Sequence, residues 1–233
     1  MANTLSIANT MNWTAAFIEQ QPMKINGMEP ALSSARIILE TVLGPPFAWP
    51  FNRTVVNYVS AGQDQVVAGL NDFGFLEAGS VAPPAGNPYE VAVRNVLTLE
   101  SNTARPQWVA ALTDDGQGNI LFRLSPAPPA GSNVTLLFQK KAPIPTSLGT
   151  TWAPFPDEKN YILQWGFLSL MSLIGNDARF TQYNQKFITS LLASQGGLTA
   201  MERNIFLTNW TAVLKDLQAA QLGTAERFKA REV

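Results

Sequence analysis

The sequence predicts an α+β fold: a helical bundle with an inserted antiparallel β-sandwich module. Three observations predict it. Apolar residues recur at helical spacing within residues 10–46 and again from 158 onward. Between 54 and 141 the period drops to two, with Gly, Pro, Asn and Asp separating the runs. The segment 158–174 is apolar around most of a helix's circumference and so requires cover on several sides. The expected division is 1–46 with 150–222 for the helical bundle, 47–149 for the inserted β module and 223–233 for a C-terminal docking tail.

Taken in order, residues 10–21 read as a short amphipathic helix with Thr10 as N-cap, Trp13, Ala16 and Phe17 on one face, and Pro22 closing it. A second helix starts at Pro30, where a missing N–H costs nothing. It carries Leu32, Ala35, Ile38, Leu39 and Val42 inward and ends at Gly44-Pro45-Pro46. Phe47, Trp49 and Phe51 follow between prolines, an aromatic cluster expected to plug the junction between the helical body and the β block. Seven strands are expected at 54–60, 65–70, 73–77, 89–100, 108–113, 120–124 and 134–139. The last three alternate most clearly: Trp108, Ala110, Leu112; Ile120, Phe122, Leu124; Val134, Leu136, Phe138. The stretches 114–119 and 126–131 read as their connections.

Asp157 is then placed to cap the helix 158–174, in which Tyr161, Trp165 and Leu168 are expected in the bundle core. Gly175 breaks it, and Asn176 or Asp177 caps the next helix, with Phe180, Tyr183, Phe187 and Leu191 in one stripe. Phe180 and Phe187 join the expected core. Gly196-Gly197 ends that helix. Thr199 and Glu202 form a capping box for the last one, which turns Ile205, Phe206, Trp210, Val213, Leu214 and Leu217 inward until Gly223 stops the pattern. Trp210 completes the expected core.

Composition narrows the function. The chain has 233 residues, 46% hydrophobic and only 14% charged, with a net charge of −1. This is a globular composition without the basic surplus of a nucleic-acid binder. A charge content well below the roughly 25% usual for soluble domains hints at burial against other subunits. The absence of Cys excludes disulfides and thiolate metal sites, and the absence of His removes the commonest general base and metal ligand. Residues 1–21 carry no Lys or Arg, so the positive flank of a signal peptide is missing. The longest apolar run, 162–174, is shorter than a membrane span requires, and a soluble protein is expected.

No phosphate loop, nucleophile elbow or paired metal-ligand motif occurs, so any catalysis would rest on carboxylates. Asp72, Glu77, Glu90 and Glu100 are the candidates, but nothing fixes their separation, and the expectation is a protein that is not an enzyme and holds no cofactor or metal. Asp114 and Asp115 with their glycines read as a turn rather than a calcium loop, because the closing glutamate is missing. The tail 226–232 alternates charge around Phe228. Arg227, Phe228, Lys229 and Arg231 are candidates for docking on another protein, the alternative being a solvated tail.

The order of two helices, a β module and three helices accompanies specific stretches: 124–131, 134–141, 152–157, 175–180 and Tyr183. With these, the chain resembles the head-to-tail adaptor (connector) proteins of tailed bacteriophages, of the tail tubular protein A type. The resemblance covers about Leu32 to Leu192. It implies a subunit of a dodecameric ring below the portal protein, with tail or nozzle proteins beneath and viral DNA passing through without specific binding. It further implies a place in the virion at the head–tail junction, with assembly in the host cytoplasm. Near-neutral charge suits a conduit, because a strongly basic lumen would retain DNA. Alternatives are a stopper or tail-completion protein, or a carbohydrate- or receptor-binding virion module in which Trp49 and Trp108 stack on sugars.

Overall fold

The computed structural model describes residues 3–18, 30–94, 106–115 and 117–229, with side chains up to 219. It divides into two compact units, Met1–Phe47 with Ala142–Val233, and Ala48–Lys141.

The first unit is organised on its most apolar helix. α1 (Ile7–Ala15), α2 (Ala31–Leu43), α4 (Phe180–Ala193) and α5 (Ala200–Lys229) all pack against α3 (Asn160–Ile174). Residues Ile162, Leu163 and Gly166 to Leu173 of α3 are buried. A Cβ at Gly166 would lie 2.8 Å from Ile38 Cδ1 and 2.9 Å from Phe187 Cε2, so α2 and α4 close on α3 where a side chain is missing. The cover is incomplete at one place. Tyr161, expected in the core, is 43% exposed, and Trp165 and Phe180 are half-buried, whereas Leu168, Phe187 and Trp210 are fully enclosed. Tyr161 and Trp165 stand one turn apart at the start of α3, on a stripe the other helices leave partly wet.

Four helix boundaries differ from expectation, among them that of α4, which starts at Phe180 with Arg179 at its N-cap and no side-chain cap from Asn176 or Asp177. α1 starts at Ile7 because Ser6, not Thr10, caps it, its hydroxyl accepting from the Asn9 N–H at 3.1 Å. Thr10 is buried and accepts from Trp152 Nε1 at 2.7 Å. Residues 19–21 of the expected helix lie outside the described residues. Asp157 opens a 3-10 turn (Asp157–Lys159) instead of capping α3, and its carboxylate accepts from the N–H and hydroxyl of Thr4. Gly223 does not stop α5, whose backbone remains helical to Lys229. One glycine costs a helix only about 1 kcal/mol.

The second unit overturns the expected β-sandwich. The described residues form a mixed α+β protein with five α-helices and one seven-stranded sheet curled into a half-barrel, so the expected helical bundle with a sandwich is not what forms. The strands are β1 (Arg53–Val59), β2 (Gln65–Gly69), β3 (Phe73–Ala82), β4 (Tyr89–Val93), β5 (Trp108–Asp114), β6 (Asn119–Ser125) and β7 (Asn133–Lys140), in the order β1-β7-β3-β4-β5-β6-β2. A sandwich needs the hydrogen bonding to break between two sheets, and β4 prevents the break. Its first residues pair antiparallel with β3 (Val81 with Tyr89, Gly79 with Val91), and its last two pair parallel with β5 (Ala92 with Trp108, Val93 with Val109). Nor is the sheet wholly antiparallel, because of that one pair. The strand expected over 89–100 ends at Val93, Arg94 being already outside it, and 95–100 lie outside the described residues.

One core fills the curl: Leu76, Val81, Val91, Val109, Ile120, Phe122, Leu124, Val134, Leu136 and Phe138. Every strand contributes, with Val56 and Tyr58 of β1 and Val66 and Ala68 of β2 packed at its margin. In β6 and β7 the period-two alternation buries the expected face, but β5 gives Val109 and Ala111 to this core rather than the expected set Trp108, Ala110 and Leu112.

Candidate functional site

Among the described residues, Asp72, Glu77 and Glu90 are not assembled into acid–base machinery. Glu77 of β3 is held by the Arg53 guanidinium through both carboxylate oxygens and also accepts from Gln139 Nε2 at 2.7 Å. Asp72 pairs with Lys140 Nζ at 3.1 Å. Glu90 is exposed on β4 opposite Ser80, and Glu100 lies outside the described residues. Glu77 and Glu90 border one shallow groove on the sheet face opposite the core, floored by Ala78, Ser80 and Thr135.

The Asp115 carboxylate accepts from the N–H groups of Gln117 and Asn119 and from Asn119 Nδ2, which commits it to its own turn. Among the described residues no group of three or more His, Cys, Asp or Glu could hold a metal ion. The rings proposed for sugar stacking are enclosed: Trp49 and Trp108 are both buried and present no face to a ligand. Phe47 meets Phe206 edge-on at 5.0 Å, and Trp49 meets Phe51 at 5.2 Å.

Helix α5 leaves most of its described side chains exposed. Thr199 and Glu202 build the capping box, the Glu202 carboxylate accepting from the Thr199 N–H at 2.8 Å and the Thr199 hydroxyl from the Glu202 N–H at 3.2 Å. Two side chains then anchor the helix. Phe206 packs on Phe47, and Trp210 packs on Phe187 at 5.0 Å while donating from Nε1 to Asn184 Oδ1 at 2.8 Å. Ser169 of α3 donates to the same oxygen at 3.3 Å, so Asn184 ties three helices together. Sequence reasoning missed Asn184, because a polar residue between Tyr183 and Phe187 reads as part of the wet face.

Phe206 and Trp210 are the only buried residues of α5 among those described. Ile205, expected inward, is 44% exposed and Met201 73% exposed, while Val213, Leu214 and Leu217 are half-covered. Between α2 and α5 runs an open groove of about 300 Å³, lined by Ile37, Thr41, Pro45, Phe206, Trp210 and Val213, among others. The expected docking residues Arg227, Phe228 and Lys229 belong to the last turn of α5, and Arg231 lies outside the described residues.

A second surface feature lies on α1, α3 and α4. The Trp165 ring meets Trp13 edge-on at 5.4 Å and stacks with Tyr183 at 6.4 Å, with Lys186 Nζ 4.4 Å over it. Arg179 ties the exit of α1 to the start of α4 by donating to the Phe17 carbonyl at 2.6 Å and pairing with Asp177 at 2.8 Å.

Four carboxyls sit below their usual range, each for a local reason: Asn119 at Asp115, the Thr4 N–H at Asp157, Arg179 at Asp177 and the Thr199 N–H at Glu202. A depressed carboxyl stabilises the fold above its unfolded pKa of about 4 and loses that contribution as pH falls through the folded value. Tyr58 goes the other way, burial pushing its hydroxyl up to about 12. Its contribution is complete below about pH 10 and lost as pH rises toward the folded value. With no His and no Cys, no ordinary side-chain titration falls between. The urea midpoint at constant ionic strength is therefore expected to be flat from about pH 5 to 9 and to fall on either side. A midpoint that moves between pH 6 and 8 would contradict this.

No helix among the described residues is long and apolar enough to cross a membrane. No protein-family model matches the chain, and no curated protein matches it.

Proposed function

We propose that the chain is a structural subunit of a tailed-bacteriophage virion, a head-to-tail adaptor that assembles with copies of itself and joins the portal to the tail. The observation that carries this reading is α5: a helix of 30 residues with two buried anchors among its described side chains and with Met201 and Ile205 open to solvent. A helix so sparsely covered is built to meet another surface. The low charge, the commitment of Asp72 and Glu77 to ion pairs, and the resemblance over Leu32 to Leu192 support the same reading. Copies would meet through unlike faces, because a closed ring uses heterologous contacts, and DNA would pass without being held.

Native mass spectrometry of the purified chain, alone and with portal protein, tests this. The expected result is a closed oligomer, a dodecamer if the resemblance extends to copy number. A chain that stays monomeric in both conditions, or that binds duplex DNA tightly at physiological salt, would overturn the proposal. Removing residues 227–233 is expected to leave the circular dichroism spectrum nearly unchanged and to abolish portal attachment. Retained attachment would sink the docking role of the tail.

A further inference from the structure

We draw no further inference here: the strongest candidate, the free edge of β1 in the curled sheet with its exposed Val55 and Val59, carries nothing because nothing in the structure shows what covers it.

Discussion

Replacing Trp210 with alanine is expected to free α5 from the helical unit at a cost of about 3–5 kcal/mol, the range for deleting a large buried ring. Two losses combine. The indole leaves a void against Phe187, and Asn184 Oδ1 keeps only the longer bond from Ser169. Beyond Trp210 the described side chains of α5, up to 219, are at most half-buried, so no later anchor among them compensates. Trp210→Phe separates the two terms, because it retains a ring and removes the donor. It is expected to cost about 1–2 kcal/mol, in line with one hydrogen bond to a part-buried amide. Hydrogen exchange reads the result locally. In Trp210→Ala, amides from 211 to 229 should lose protection, while those of α3 between Ile162 and Met171 keep theirs. Undiminished protection along α5 would mean that Phe206 and the capping box hold the helix by themselves.

How much of this was legible in the sequence depends on the range of the interaction. Local chemistry was readable: the Thr199–Glu202 capping box forms, and the stripe Tyr183, Phe187 and Leu191 is buried. The inward alternation of β6 and β7 places Ile120, Phe122, Leu124, Val134, Leu136 and Phe138 in one core. Alternation says which face is buried but not against what, so a sandwich and a curled sheet look identical along the chain. The deciding contact, β4 passing from β3 to β5, joins residues far apart in sequence. Caps were misassigned for a related reason. Ser6 and Thr10 are both competent N-caps, and only the long-range bond from Trp152 Nε1 shows that Thr10 is committed elsewhere. Asp157 was likewise claimed by Thr4, at the other end of the chain. Ile205 is expected inward but is 44% exposed. A periodic stripe does not reveal how far along a helix its partner extends.

Introducing valine at Gly79 is expected to be among the most damaging single changes in the sheet, because this glycine is where β3, β4 and β5 converge. A Cβ there would stand 2.7 Å from Val91 Cγ2, 3.0 Å from Val109 Cγ1 and 3.4 Å from Leu136 Cδ2. All three neighbours belong to the filled core, and Val91 and Val109 are branched at Cβ with few rotamers to escape into. The register shift between Leu76 and Ala78 has already bent β3 just before this point. Against the clash stands the usual gain of about 0.5–1 kcal/mol when a glycine within a strand acquires a side chain. Overpacking a filled core costs about 1–3 kcal/mol, so even Gly79→Ala should be neutral to destabilising, and Gly79→Val should exceed that range as two further methyl groups enter. Thermal unfolding followed by near-ultraviolet circular dichroism would register the loss. If the clash with Val91 is the cause, Val91→Ala should recover part of the stability lost in Gly79→Ala, a coupling that independent sites would not show. A Gly79→Val protein with an unchanged transition would mean that β4 does not pass this close to β3, and the single curled sheet would lose its hinge.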